Sequence, residues 1–184
     1  DMEYSAVGAA GEARVTYWSN KKDKVVLDWA AVDAKRNFTT AIQLEGLSPW
    51  TEYSLKVETR APGDSKAANE IRGKLKTAPL KKDAEAVTFA VVTCQDFPRR
   101  DDLVNGHRVY PSILNRVDPD FMVHAGDIEY YDKPGPYAKT EELAHYKWNR
   151  IFGLPNFRDF YRQVPTYFMK DDHDLLRNDC SPGD

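Results

Sequence analysis

Short apolar and β-branched runs, broken by turn residues, fill the chain up to about residue 80. Ala13 to Trp18 (ARVTYW), Lys24 to Trp29 (KVVLDW), Thr39 to Leu44 (TTAIQL), Glu52 to Thr59 (EYSLKVET) and Ile71 to Thr77 (IRGKLKT) each read as a strand. They are rich in Val, Thr, Tyr and Trp and alternate in places, the pattern of a half-buried pleated strand. Gly11, Gly46, Pro49 and the Pro62-Gly63 pair punctuate them. No stretch here keeps a helical period, so an all-β sandwich is the expected architecture.

The texture changes after the polar segment from Pro79 to Ala86, which reads as a linker. The expected organisation is a β-sandwich over residues 1–79, a linker over 80–86 and an α/β unit over 87–184. Val87 to Thr93 is a continuous apolar run, as suits a strand covered on both faces. Asp101 to Val117 reads as helical, capped by Asp101 and broken or kinked at Pro111. Asp120 to Ala125 is a second strand. Thr140 to Gly153 fits a helix with Thr140 as cap and Gly153 as stop. A short helix over Asn156 to Gln163 and a third strand over Thr166 to Met169 follow. Strands separated by helices imply a mostly parallel sheet with right-handed crossovers.

Within the first part, Leu47-Ser48-Pro49-Trp50-Thr51-Glu52-Tyr53 resembles the tyrosine corner of fibronectin type III domains. The alternative is an ordinary hairpin with a buried Tyr. The resemblance implies a fibronectin type III-like sandwich whose first strand is missing.

The 184 residues are 41% hydrophobic, enough for a packed core. A net charge of -3 leaves no basic footprint for nucleic acid and no polybasic membrane patch. No apolar run reaches the length of a membrane span. The two cysteines, Cys94 and Cys180, allow one disulfide but no disulfide framework. The chain opens on Asp1 and shows no signal peptide.

In an open parallel sheet, ligands collect at the carboxyl ends of the strands. The first strand runs into Cys94-Gln95-Asp96, the second into Gly126-Asp127-Ile128-Glu129-Tyr130, the third into Lys170-Asp171-Asp172-His173-Asp174. Carboxylates and a thiolate crowded at one edge repel one another unless a cation is present. Asp127 has two oxygens and is able to bridge two metal ions, the arrangement of two-metal hydrolases.

Gly126-Asp127-Ile128-Glu129-Tyr130 resembles the G-D-x-x-Y block of purple acid phosphatases and PhoD enzymes, within the calcineurin-like metallophosphoesterases. Asp171-Asp172-His173-Asp174 resembles the D-D-H-E or D-D-H-D block of PhoD-like members, and Cys94 stands where those members carry a cysteine. The resemblance implies that the chain is a PhoD-like alkaline phosphatase or phosphodiesterase. It also implies that residues 87–184 are the first half of such a domain. Cys94 and Tyr130 would bind Fe3+, Asp127 would bridge it to a neighbouring Ca2+, and Asp172 would bind the second metal site. His173 would contact the substrate phosphate, stabilising the transition state or protonating the leaving oxygen, while Asp171 and Asp174 would support from behind, Asp174 by orienting His173. The implied reaction is hydrolysis of a small phosphate mono- or diester by metal-bound hydroxide, in a secreted or periplasmic protein. Further ligands, mostly histidines, are expected beyond Asp184, so the chain is read as a piece cut at both ends, inactive and poorly stable alone. Two alternatives stand beside this reading: an enzyme similar to purple acid phosphatases, and a non-catalytic adhesion or binding module with a degenerate phosphoesterase part.

Each residue also has a plainer reading. Cys94 suits buried packing or a bond to Cys180, Asp127 a turn after Gly126, and Asp171-Asp172 a solvated acidic turn. Tyr131 reads as packing, His124 as core or a residue just behind the site, His107 and His145 as surface, and Asp96, Arg99 and Arg100 as a solvated loop. Asn37-Phe38-Thr39 carries the spelling of a glycosylation acceptor.

Overall fold

The structure, a computed structural model, describes residues 8–20, 22–83 and 85–181. They fall into two compact units, residues 8–86 and residues 87–181. Among the described residues no helix is long and apolar enough to cross a membrane.

The first unit is an antiparallel sheet of β1 (Glu12–Ser19), β2 (Lys22–Val26), β3 (Ala30–Ala31), β4 (Glu52–Arg60) and β5 (Asn69–Lys76). Its order is β2-β1-β4-β5, with β3 paired to the start of β1. The register sets Val15 opposite Val57, Tyr17 opposite Leu55 and Tyr53 opposite Leu75. Period-2 alternation therefore brings Val15, Tyr17 and Tyr53 into one buried cluster with Leu55, Val57 and Leu75. Arg14 and Glu58, also directly opposite, form an ion pair at 2.9 Å, and Lys56 adds a second at 2.8 Å. The Tyr53 hydroxyl accepts a hydrogen bond from the Ser48 N–H at 2.8 Å, the local contact that the Leu47–Tyr53 spelling implies.

The segment from Thr39 to Leu44 is not a strand; its one ladder contact is a bridge between Asp33 and Thr39. Its alternation has another cause. Ile42 and Leu44, with Leu27 and Leu47, cover the apolar face of the sheet, so burial alone imposes the period. Among the described residues this unit thus has one sheet with an irregular covering layer.

In the second unit, β6 (Phe89–Val92), β7 (Phe121–His124) and β8 (Thr166–Phe168) form a parallel sheet in the order β6-β7-β8. Four helices accompany it: α1 (Val109–Arg116), α2 (Glu141–Phe152), α3 (Pro155–Tyr161) and α4 (Asp172–Leu175). One sheet face carries Ala90, Val92 and the fully buried Met122 onto Phe97, Tyr110, Ile151, Leu154, Phe157 and Phe160. The opposite face presents Phe89, Val91 and Tyr167, which are 55%, 59% and 67% exposed, with Phe89 stacked on Phe121 at 5.2 Å.

Helix α2 begins and ends where Thr140 and Gly153 predict, the Thr140 side chain accepting from the Leu143 N–H. Helix α1 is shorter than the span from Asp101 to Val117. Asp102 folds the preceding residues into a turn by accepting from the N–H groups of Val104 and Asn105. Pro111 lies in the first turn of α1, where its missing N–H costs nothing, so it marks the start of the helix and not a kink. Asp101 still serves that start, accepting from the Arg108 N–H at 2.8 Å.

Candidate metal centre

Parallel pairing puts the carboxyl ends of β6, β7 and β8 at one edge, and backbone bonds lock the loops that follow. The N–H groups of Cys94 and Gln95 donate to the carbonyls of Gly126 and Asp127 at 3.3 and 3.0 Å. Cys94 and Asp127 both have left-handed backbones, with φ of 57° and 53°. Such conformations cost a non-glycine residue on the order of 1–3 kcal/mol and cluster at functional sites. Gly126, at φ 100°, is required by crowding as well: a Cβ there would lie 2.6 Å from Cβ of Asp171 and 3.0 Å from its backbone nitrogen. The loops after β7 and β8 therefore touch at Gly126.

Asp171 and Asp174 form the capping box of α4. Asp174 is fully buried and spans both loops: one carboxylate oxygen accepts from the Glu129 N–H at 2.8 Å and the other from the Asp171 N–H at 3.1 Å. Burial pushes its carboxyl above the usual range, against the pull of these N–H groups.

The donors converge on Asp127. Its Oδ2 accepts from the Cys94 thiol at 3.4 Å and from the Tyr130 hydroxyl at 3.1 Å. Its Oδ1 is buried and makes no hydrogen bond among the described residues. One ligand atom each from Asp127, Asp172 and His173 lies within 4.8 Å of the others. Burial, then the charges of Asp127 and Cys94, push the Tyr130 phenol well above its ordinary range. A multivalent cation held here would favour the ionised phenol and carboxylates, and Asp127 is one of the residues that would hold it. A set of carboxylate, phenol, imidazole and thiol donors suits a hard or borderline metal ion, so the residues fit a metal centre.

The imidazole of His173 stands 4.4 Å, centroid to centroid, from the Tyr130 ring. Its Nδ1 bonds Oδ1 of Asp132 at 2.8 Å, and Oδ2 of Asp132 accepts from the Asn178 N–H at 3.0 Å. Burial alone would raise the Asp132 carboxyl, but the imidazole and the N–H group outweigh it and hold it below the usual range. An ionised Asp132 accepts from Nδ1–H, which leaves Nε2 as the nitrogen for chemistry. The carboxylate that orients His173 is therefore Asp132 and not Asp174, which serves the backbone of the two loops.

Behind the site, Glu129 is only 1% exposed and lies 3.4 Å from Lys147 and 3.2 Å from Arg150 of α2. Burial raises the Glu129 carboxyl, and the two cations oppose it. The Lys147 ammonium also donates to the Tyr130 carbonyl, so this buried group fixes the turn that presents Tyr130. Asp96 is buried and not part of a solvated loop. It holds Lys133 at 2.8 Å, and the Lys133 ammonium lies 3.8 Å over the Tyr130 ring.

The structure brings Cys94, Asp127, Tyr130, Asp172 and His173 together and sets Asp171 and Asp174 beneath them. Cys94 and Cys180 are free thiols. His124 is core, fully buried beside Phe168, and burial lowers its pKa to about 4. His107 is not a surface residue: it packs near Phe157, its Nε2 is buried, and burial lowers its pKa. His145 stays partly exposed and pairs with Glu141 at 3.7 Å, and the Tyr131 hydroxyl accepts from Trp148. Sequence reasoning missed Asp132, Glu129, Lys147 and Arg150. The available signal was the Lys147/Arg150 pair, three residues apart on the helix face that also buries Tyr146 and Ile151.

No known family profile matches the chain, and no curated protein matches it. Among solved structures, one titled "Structure of PhoD" superposes with a TM-score of 0.68 at 16% identity, over 94% of this chain. The chain spans about a third, 34%, of that structure's length. The chain has a PhoD-like fold.

Proposed function

We propose that the chain carries part of the catalytic centre of a metal-dependent phosphoesterase acting on small phosphate mono- or diesters. The observation that carries this reading is the meeting of three strand ends at Asp127. Cys94 and Tyr130 share its Oδ2, and Asp172 and His173 offer ligand atoms within 4.8 Å. The PhoD-like fold supports it independently of the local chemistry.

Cys94, Tyr130, Asp127 and Asp172 would hold the metal ions, Fe3+ and Ca2+ by resemblance, with Asp127 between them. Bound cations supply Lewis-acid chemistry, neutralising phosphoryl charge and acidifying water. His173 presents Nε2 to the substrate, where it binds a phosphoryl oxygen or gives its proton to the leaving oxygen. Asp132 fixes the ring through Nδ1 and stabilises the protonated imidazole. The strained backbones at Cys94 and Asp127 keep both donors turned to one point.

We further propose that residues 1–79, of which 1–7 and 21 lie outside the described residues, form a fibronectin type III-like domain joined by the linker 80–86 to a catalytic domain from residue 87. The Ser48–Tyr53 bond supports the first of these. We also propose, on the strength of the resemblance, that the protein works outside the cytoplasm, secreted or periplasmic. The test is hydrolysis of p-nitrophenyl phosphate and bis-p-nitrophenyl phosphate by a full-length protein that contains this chain, with and without chelator. Turnover that chelator abolishes and Ca2+ restores is expected; turnover indifferent to chelator contradicts the proposal.

A further inference from the structure

The segment following α4 turns back over the site, and two consecutive backbone N–H groups reach two different functional carboxylates. The Asn178 N–H donates to Oδ2 of Asp132 at 3.0 Å, the oxygen not used by His173. The Asp179 N–H donates to Oδ2 of Asp172, whose Oδ1 accepts from the His173 N–H at 2.8 Å. Neighbouring N–H groups of an extended strand point to opposite sides. Here Asp179 has φ 58°, and left-handed residues in turns let successive N–H groups converge on one concave side. The Cys180 N–H closes the turn on the Arg177 carbonyl at 3.1 Å, and the Cys180 thiol donates to the Asp172 carbonyl at 3.2 Å. The Asp179 side chain accepts from the Asn178 amide at 2.6 Å.

We propose that Asn178 and Asp179 are positioning residues acting through their backbone, a clamp that sets the metal ligand Asp172 and the imidazole holder Asp132 in register. A carboxylate offers about four lone-pair directions, so one N–H on each oxygen of Asp172 still leaves room for a cation. The two N–H groups fix the rotation of the carboxylate before the ion arrives, as outer hydrogen bonds on metal ligands generally do. One turn thereby couples the ion-binding half of the site to the proton-donating half. This inference rests on the proposed metal reading.

The test is Ca2+ titration, by calorimetry, of a full-length protein that contains this chain, in four forms: wild type, Asp127→Asn, Asp179→Gly and Asp179→Pro. Glycine keeps both the N–H and the left-handed backbone. Proline removes the N–H and cannot adopt that backbone. Asp179→Pro is expected to weaken Ca2+ binding by roughly 10–100-fold, and Asp179→Gly to stay within about threefold of wild type. Metal-free circular dichroism should show both Asp179 variants folded, with the proline variant melting somewhat lower because it cannot keep φ 58°. Equal Ca2+ affinity in the proline and glycine variants overturns the clamp while leaving the metal reading intact. Equal loss in both also overturns it, since the side chain would then be what matters. Absence of Ca2+ binding by wild type, or undiminished binding by Asp127→Asn, overturns the metal reading and the clamp with it.

Discussion

Replacing Gly126 by Ala probes the junction on which the site is built. Gly126 holds φ at 100°, and an added Cβ would meet Cβ of Asp171 at 2.6 Å and its backbone nitrogen at 3.0 Å. Two costs add. A left-handed backbone costs an L-residue roughly 1–2 kcal/mol, and relieving an overlap with backbone costs about 1–3 kcal/mol more. Together they destabilise residues 87–184 by roughly 2–5 kcal/mol, a fall in unfolding temperature on the order of 10 °C. The displacement also separates Asp127 from Asp172, so Ca2+ affinity should drop at least about tenfold. Gly63→Ala is the control, because Gly63 has φ 81° but nothing within 4 Å of its added Cβ. It should incur the backbone cost alone. The assay is thermal unfolding with parallel Ca2+ titration. If Gly126→Ala shifts unfolding no more than Gly63→Ala and leaves Ca2+ affinity unchanged, the loops after β7 and β8 do not meet as described.

Asp132→Asn keeps a hydrogen-bonding group beside His173 but removes the charge that stabilises its protonated form. Its kcat should fall by about 10–100-fold on phenyl phosphate and much less on p-nitrophenyl phosphate, whose leaving group needs little proton donation; equal losses on the two substrates contradict the role. In the other unit, hydrogen bonds from Arg14 and Lys56 lower the Glu58 pKa to about 2. A depressed folded-state pKa contributes stability that is full above the unfolded value of about 4.3 and fades as pH falls toward 2. Unfolding of wild type should therefore become easier across pH 5 to 2, and Glu58→Gln should flatten that slope; parallel curves would refute it.

The β strands were legible where alternation reflects a ladder, as in β1 and β4, and misleading where it reflects only burial, as at Ile42 and Leu44. A proline inside an apolar helical span predicts a break or a kink, because its spelling does not say where the helix begins; Pro111 lies in the first turn of α1. The site's main donors were legible because parallel pairing obliges all three strand ends to share an edge, so the residues after each strand must meet. Asp132 was not, because its approach to His173 depends on how the loop after Tyr130 folds back, and no periodicity encodes that. Glu129, Lys147 and Arg150 escaped for a related reason: charged side chains are ordinarily solvated, and only mutual pairing makes their burial tolerable. The continuous apolar run from Val87 to Thr93 suits a strand covered on both faces, but only one face of β6 is covered among the described residues: Phe89 and Val91, with Tyr167 of β8, stand exposed on the other.

The most direct measurement is metal content per chain after exhaustive dialysis, wild type against Asp127→Asn, with circular dichroism to establish that both are folded. Wild type should retain about two ions per chain and the variant should lose at least one of them, because the Cys94 thiol and the Tyr130 hydroxyl converge on Asp127 Oδ2 and a ligand atom of Asp127 lies within 4.8 Å of those of Asp172 and His173. A folded Asp127→Asn protein with the same metal content as wild type would contradict the assignment of this cluster as a metal centre.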